Sequence, residues 1–208
     1  MSPLPESATQ VRLFVAITLP EKVQSEIEKA QSELRTGVGS KTVRWSRREQ
    51  LHLTLRFLGN VDGGRVEPLK DALSRACRGF APLRLRCEGI GFFPNNRAPR
   101  VVWAGIDDEQ RQLTLLQSAV EAAVGSFSLE KPETRFVGHV TLGRLNRVSR
   151  VEAQGLARLA AGMGAKFFGS WTGGEIELIR SELLPQGARY TALAAIALGA
   201  PSSGQGSR

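Results

Sequence analysis

The pattern of apolar and polar positions is clearest at residues 51–59, which read Leu-His-Leu-Thr-Leu-Arg-Phe-Leu-Gly. Alternate residues from Leu51 to Phe57 are apolar, and successive side chains of a strand point to opposite faces. The alternation therefore predicts a strand with one face in the core. The other face carries an imidazole, a hydroxyl and a guanidinium, from His52, Thr54 and Arg56.

The same pattern returns at residues 138–144, which read Gly-His-Val-Thr-Leu-Gly-Arg. The chain holds only two histidines, His52 and His139, and each begins a His-x-Thr-Leu sequence. Two unrelated histidines would rarely fall in the same short motif by accident, so the pair indicates a shared function.

The rest of the chain alternates between strand and helix patterns. Strands outnumber helices, and several are joined by short turns, which predicts an α+β fold with antiparallel pairing. Because each half of the chain holds one His-x-Thr-Leu strand, we expect a bilobal molecule. It would have two mainly antiparallel sheets, helices packed on the outside and a central cleft that carries both strands. The predicted strands are 11–17, 43–45, 51–59, 82–93, 101–106, 136–144, 175–184 and 190–198; the predicted helices are 19–35, 65–78, 107–124 and 151–161; residues 167–171 form a short element of undecided type.

Composition is that of a globular chain, with 41% hydrophobic and 23% charged residues among 208. A single domain is expected over 11–199, with a disordered N-terminus at 1–10 and a disordered, Pro/Ser/Gly-rich tail at 200–208. No signal-peptide pattern and no membrane-spanning run is found. Cys77 and Cys87 have neither CxxC nor zinc-site spacing, which favours reduced thiols. We therefore expect a monomeric, cytoplasmic protein without membrane association.

The net charge of +8 favours a polyanionic partner. Arginine supplies most of the excess, and its guanidinium fork suits phosphate groups and stacks on bases. A genome with GC-rich codons would produce the same bias, so the charge alone does not decide the partner.

A metal site and a serine triad are both poorly supported as uses of the two histidines. Zinc needs a third or fourth ligand with its own spacing, and the nearest acidic residues are only Glu49 and Glu133. No Gly-x-Ser-x-Gly sequence is present.

Paired acid–base catalysis fits the motifs better. Histidine titrates near neutral pH, so one ring can take a proton from a nucleophile while the other gives a proton to a leaving group. This division of labour suits the metal-free opening of a cyclic phosphate ester by water. Thr54 and Thr141 lie two residues beyond the histidines, on the same strand face, and can donate their hydroxyls to the charge that develops on the phosphoryl oxygens.

The two motifs resemble the paired HxTx motifs of the two-histidine (2H) phosphoesterase superfamily. More of the chain resembles one branch, the RNA 2′,3′-cyclic phosphodiesterases, long called 2′-5′ RNA ligases. The similar segments run in the same order over roughly 12–198. They are the strand at 12–17, Arg-Trp at 44–45, the motif strand at 51–59, Pro-Arg-Val-Val-Trp-Ala-Gly at 99–105, Arg-Ser-Glu-Leu at 180–183 and Arg-Tyr at 189–190.

The resemblance implies a bilobal α+β fold with the active site between the lobes, no metal and no cofactor. It implies His52 as the proton donor and His139 as the proton acceptor, with the phosphate held by Thr54, Thr141 and Arg144. Strict alternation would aim Arg144 away from His139, so its role requires a twist at Gly143. Arg56, by its spacing, and Tyr190 are further candidate substrate contacts.

The implied substrates are RNA or oligonucleotide ends with a 2′,3′-cyclic phosphate, including tRNA fragments and small cyclic nucleotides, opened to 2′-phosphomonoesters. Gly138 departs from the family's usual proline before the second motif and is expected to loosen the entry to that strand.

Two other functions compete with hydrolysis. The first is RNA ligation, either as the reverse of cyclic phosphate opening or through a nucleotide-accepting lysine. Lys166 begins a loose Lys-x-x-Gly sequence that lacks the expected acidic residue. The second is a non-enzymatic RNA-binding module, for which the small aromatic fraction of 6% gives no extended base-stacking platform. The presence of two complete His-x-Thr motifs argues against a non-enzymatic module.

Overall fold

The computed structural model describes residues 9–39, 41–131, 135–146, 148–185 and 187–199. In these ranges the chain forms four α-helices and nine strands. The helices are α1 (Glu21–Arg35), α2 (Val66–Cys77), α3 (Gln112–Val124) and α4 (Arg150–Gly162). The strands are β1 (Gln10–Thr18), β2 (Val43–Trp45), β3 (His52–Asp62), β4 (Leu83–Phe93), β5 (Val101–Asp107), β6 (His139–Leu145), β7 (Phe167–Gly173), β8 (Glu175–Leu184) and β9 (Gly187–Ala197).

Each predicted helix and strand is present, with ends that differ by a few residues. The undecided segment at 167–171 belongs to β7. Of the two segments expected to be disordered, 200–208 and most of 1–10 lie outside the described residues. Gln10 is an exception to the expected boundary, because it already belongs to β1 and pairs with Asp62.

All the described strands belong to one sheet, in the order β7-β4-β5-β6-β3-β1-β8-β9, and β2 pairs with β6. Every pairing is antiparallel, so the α+β class and the antiparallel arrangement are confirmed. The two expected sheets are instead two halves of one sheet, β3-β1-β8-β9 and β7-β4-β5-β6-β2. They join where Leu53 of β3 pairs with Val140 of β6.

The helices cover one face of this sheet. Leu13, Val15 and Ile17 of β1 belong to a single core cluster that also contains the buried apolar residues of all four helices. The intervening residues Phe14 and Ala16 point to the opposite face and form a small separate cluster to which no described helix contributes. That face is the cleft side of the molecule. None of the described helices is long and apolar enough to cross a membrane.

Candidate active site

The two His-x-Thr strands lie side by side where the halves of the sheet meet. The antiparallel pairing of Leu53 with Val140 sets His52 opposite Thr141 and Thr54 opposite His139. The two histidines are then diagonal neighbours, a relation in which residues lie about 7–8 Å apart. This spacing leaves room for a phosphoryl group between the rings. A twofold rotation about the junction exchanges one His-Thr pair with the other.

A β-bulge in β6 turns Arg144 towards the cleft. Consecutive residues of β5 pair with Thr141 and with Gly143, so Leu142 is an extra residue. An extra residue shifts the alternation of faces by one, which puts Arg144 on the same face as Thr141. The bulge, rather than a twist at Gly143, thus provides the change of direction. Gly143 has another role, because a Cβ there would lie 2.6 Å from a methyl of Val43 and would push β2 away.

A matching bulge in β3 turns Arg56 away from the cleft. Consecutive residues of β1 pair with Arg56 and with Thr54, so Leu55 is the extra residue. Beyond it, Phe57 rather than Arg56 lies on the face that carries His52. Phe57 packs against the small apolar cluster on that face.

The buried environment of Arg56 confirms this change of face. Its side chain is 5% exposed. Its guanidinium lies 3.0 Å from a carboxylate oxygen of Glu121 in α3 and donates to the carbonyl oxygens of Glu130, at 2.6 Å, and Lys131, at 3.0 Å. The expectation that Arg56 contacts substrate is therefore wrong, because the bulge makes it a structural tie between β3 and α3.

A cavity of about 220 Å³ lies over the His-x-Thr strands. The predicted residues His52, Thr54, Thr141, Arg144 and Tyr190 line it, and His139 is close enough to His52 to influence its charge. No Asp or Glu lies among the lining residues that the structure describes, so the cavity suits an anion. It is also lined by residues to which the sequence assigned no role in catalysis or binding: Arg44, Trp45, Ser46, Arg47, Gln50, Gly187 and Ala188.

A backbone contact fixes the tautomer of His139. Its Nδ1 lies 2.8 Å from the carbonyl oxygen of Val137, two residues earlier in the chain. A carbonyl oxygen can only accept, so Nδ1 carries the proton and the neutral ring has its lone pair on Nε2. The neutral ring can therefore accept a proton at Nε2.

Burial dominates the electrostatics of His52. The pKa of His52 is lowered to about 4, mainly by desolvation; the backbone hydrogen bond with Gln50 opposes this shift, and the nearby His139 and Arg144 add to it. The ring stacks on Phe14, with 4.8 Å between centroids, and meets the edge of Tyr190 at 5.4 Å. His52 is therefore neutral at pH 7 until an anion enters the cavity.

The second histidine is also held by aromatic rings. The centroid of His139 lies 5.0 Å from that of Phe93, in an edge-to-face arrangement, and 6.2 Å from that of Trp103. Packing of this kind limits the rotation of each imidazole.

Tyr190 is placed in the cavity, as predicted. Burial raises the pKa of its phenol, while the positive charges of Arg144, Arg12 and Arg44 act in the opposite direction. The hydroxyl is therefore a neutral group close to a cluster of three guanidinium groups.

The lowered pKa of His52 gives a direct pH prediction. Because the chain has two histidines, an NMR titration of imidazole Cε1–H signals contains two ring signals. We expect the signal that disappears in His52→Gln to titrate near pH 4, compared with the ordinary 6.5. Between these pH values the unfolded chain binds the proton more tightly, so protonation of His52 reduces the free energy of unfolding as the pH falls.

Added 2′-AMP should raise the pKa of His52, because an anion nearby favours the imidazolium form. A signal for His52 that titrates near 6.5 in the ligand-free protein would show that its ring is solvated rather than buried.

The strand entry at Gly138 is held closely rather than loosely. Its carbonyl oxygen accepts a hydrogen bond from the backbone of Ile106 at 2.8 Å. A Cβ at this position would lie 2.5 Å from the carbonyl oxygen of Ile106. The expectation of a loosened entry is wrong, because glycine lets the chain approach β5 more closely than a larger residue would.

Lys166, which the alternative function of RNA ligation would need, is not among the residues that line the cavity. Lys166 forms an ion pair with Glu33 of α1 at 2.8 Å.

Cys77 and Cys87 are buried free thiols, and burial raises the pKa of their thiols to about 11 and about 12. In the described part of the chain, no group of three His, Cys, Asp or Glu side chains is placed to hold a metal ion.

Known proteins with similar sequences are named as phosphoesterases. A family model described as LigT like Phosphoesterase matches residues 17–103. The RNA 2′,3′-cyclic phosphodiesterase of Methanothermobacter thermautotrophicus is 31% identical over 182 residues, which cover 88% of this chain and 96% of that protein. This chain belongs to the LigT-like phosphoesterase family. The protein of the same name from Thermus thermophilus is 35% identical over 190 residues, 88% of each chain.

Solved structures agree with this membership. The crystal structure of TT0787 from Thermus thermophilus matches with a TM-score of 0.73 and 32% identity, over 90% of this chain and 97% of that one. The structure of Escherichia coli LigT complexed with 3′-AMP has a TM-score of 0.70, over 91% of this chain and 99% of that one. At 24% identity the second match shows the fold alone. The LigT-like, 2H phosphoesterase assignment made from the motifs is confirmed.

One part of the cavity wall of this LigT-like phosphoesterase has no role that the sequence predicts. Arg44 and Trp45 belong to a segment that the resemblance covers, but the resemblance implies no role for either residue. Both line the cavity, because β2 pairs with the end of β6 beside Arg144. A strand of three residues has too little pattern to reveal its partner or its face.

Proposed function

We propose that this protein hydrolyses RNA 2′,3′-cyclic phosphate ends to 2′-phosphomonoesters by metal-independent acid–base catalysis. One observation carries the proposal. Two His-Thr pairs lie crosswise at a cavity whose described lining residues include three arginines and no carboxylate. Membership of the LigT-like family, whose relatives are named RNA 2′,3′-cyclic phosphodiesterases, supports the choice of substrate.

His139 is proposed as the general base. The contact of its Nδ1 with the carbonyl oxygen of Val137 keeps the lone pair on Nε2. A water molecule between that atom and the phosphorus would lose its proton to Nε2 as it attacks. The backbone contact and the packed Phe93 ring hold the imidazole in one orientation, so little reorganisation is needed.

His52 is proposed as the general acid, which gives its proton to the departing 3′ oxygen of the ribose. Its lowered pKa means that the ring must gain a proton when the substrate binds. A cyclic phosphodiester brings a negative charge to the ring, and such a charge favours the imidazolium form. An imidazolium held in a poorly hydrated place is a strong acid, which assists the departure of an alkoxide.

The remaining predicted residues would stabilise charge on the phosphate. Thr54 and Thr141 approach it from opposite strands and can donate hydroxyl hydrogens to the two non-bridging oxygens. Arg144 is placed on the same face by the bulge at Leu142 and can pair with one of these oxygens. Tyr190 is proposed as a contact to the nucleoside.

The proposed partners are RNA or oligonucleotide ends, including tRNA fragments, and small 2′,3′-cyclic nucleotides. A monomer in the cytoplasm is proposed for the protein itself. Two buried thiols without a disulfide agree with a reducing compartment.

Incubation with EDTA and each nucleoside 2′,3′-cyclic phosphate tests the proposed reaction. We expect turnover in EDTA and a 2′-monophosphate as the product, identified by chromatography against the 3′ isomer. Activity that is lost in EDTA and restored by zinc would contradict the acid–base mechanism. A 3′-monophosphate would keep the chemistry and reverse the assignment of the leaving oxygen.

A further inference from the structure

Two arginines face each other across neighbouring strands at the edge of the cavity. Arg44 of β2 and Arg144 of β6 are directly paired residues, so their side chains lie on the same face. Like charges in this position destabilise a sheet. Neither guanidinium forms an ion pair with a carboxylate in the described part of the chain. An anion between or above them would remove this repulsion.

The cavity carries more positive charge than is required to balance the charge of one cyclic phosphate. Among the described residues its lining contains three arginines and no carboxylate: Arg44, Arg47 and Arg144. Of these, only Arg47 has an ion-pair partner in the described part of the chain, Glu49 at 2.9 Å. A cyclic phosphodiester carries a single negative charge, and Arg144 is enough to match it. Arg44 is therefore in excess for a cyclic mononucleotide but matched for a substrate with a second phosphate.

A larger basic groove lies past the N-terminal end of β2, between α4 and the residues that precede β5. It has a volume of about 1390 Å³. Thr42, two residues before Arg44, lines it, and so does Leu145, the residue after Arg144. The groove is also lined by four cationic side chains and, among the described residues, by no acidic one: Lys41, Arg97, Arg100 and Arg150. A row of cations that follows an extended path suits a phosphodiester backbone.

We propose that Arg44 binds the phosphodiester on the 5′ side of the terminal nucleotide, and that the RNA leaves the cavity along this groove. The inference rests on the proposed function and deepens it, because it names a residue by which the site would favour longer RNA ends over cyclic mononucleotides. The catalytic residues hold the cyclic end, and Arg44 is the first contact that only a longer substrate can make.

The test compares two substrates in the Arg44→Gln variant. One is adenosine 2′,3′-cyclic phosphate, and the other is the dinucleotide ApA with the same cyclic end. We expect kcat/KM for the dinucleotide to fall roughly tenfold, while the mononucleotide loses far less, because one charge-assisted phosphate contact has gone. The slope of log kcat/KM against log salt for the dinucleotide should become less negative by about 0.7. Arg75→Gln, on the exposed side of α2 and outside the cavity, is the matched control.

Binding measurements test the role of Arg44 independently of whether the protein catalyses the proposed reaction. Affinities of 2′-AMP and of ApA with a 2′-phosphate end can be measured by calorimetry without turnover. A selective loss for the dinucleotide in Arg44→Gln supports the assignment, whether or not the wild type opens cyclic esters. Equal losses for the two ligands, or no loss, would overturn it. Failure of the wild type to open either cyclic ester would instead overturn the proposed reaction.

The groove makes a second, longer-range prediction within the same test. Arg100→Gln should weaken binding of a five-nucleotide RNA and leave the ApA ligand almost unaffected, because Arg100 lies beyond Arg44 along the path. An equal effect on both lengths would place Arg100 in the cavity itself and would contradict the proposed exit route.

Discussion

Replacement of either histidine by alanine is expected to lower kcat/KM by roughly a hundredfold to ten-thousandfold, the usual range for loss of a general acid or base. The rate of the wild type should be bell-shaped in pH, with two apparent pKa values that belong to the coupled pair. Since kcat/KM reports the free enzyme, its acidic limb should follow the lowered pKa of His52, about 4. The double variant should lose less than the product of the two single losses.

The division of labour between the histidines can be tested with a better leaving group. Bis(4-nitrophenyl) phosphate expels 4-nitrophenolate and needs little help from an acid. It should restore much of the rate to His52→Ala and leave His139→Ala impaired. Equal rescue of both variants, or of neither, would show that the roles of acid and base have been assigned wrongly. Circular dichroism and 2′-AMP binding provide the check that each variant still folds.

The threonine variants should show the second largest effect. Thr54→Ala and Thr141→Ala each remove one hydroxyl donor from the phosphate. A hydrogen bond to a charged group is worth about 1.5–3 kcal/mol, which corresponds to roughly tenfold to a hundredfold in kcat/KM. The loss should fall mainly on kcat if the bond strengthens as charge develops on the phosphoryl oxygens.

Serine substitution distinguishes a threonine that donates a hydrogen bond from one that only packs against its neighbours. Thr54→Ser and Thr141→Ser keep the hydroxyl and should lose little activity. Thr191→Ala, an exposed threonine of β9 that does not line the cavity, should behave as the wild type. Serine variants as impaired as the alanine variants would mean that the threonine methyl, and not the hydroxyl, is the important group.

The helices and strands, and the residues of the candidate site, could be predicted from the sequence because both predictions rest on local patterns. Alternation of apolar residues predicted β3 and β6, and the repeat of His-x-Thr-Leu identified His52, Thr54, His139 and Thr141 without any knowledge of the fold. The start of α3 is held by a local contact as well, because the carboxylate of Asp108 accepts the backbone N–H of Gln112 at 2.6 Å.

The directions of the two arginines could not be predicted in the same way. Strict alternation put Arg56 into the cleft and Arg144 out of it, and the structure reverses both. A bulge depends on how a strand pairs with its neighbour. Nothing within 51–59 or 138–144 shows which strand that neighbour is. The same limit explains why two sheets were expected. Whether β3 and β6 meet is decided by the packing of both halves of the chain, not by either segment.

The paired bulges also divide the site into two unequal sides. The twofold relation that exchanges His52 with His139 also exchanges Phe57 with Arg144, so an apolar ring stands where the other side has a guanidinium. Arg12 lies over the Phe57 ring at 4.5 Å and donates to Ser181, which further fills that side. A fully symmetric site would accept a cyclic ester in either orientation and release both isomers in equal amounts. Because Arg144 has an apolar ring and not a guanidinium as its counterpart, we expect the residue that follows each bulge to decide which ribose oxygen leaves.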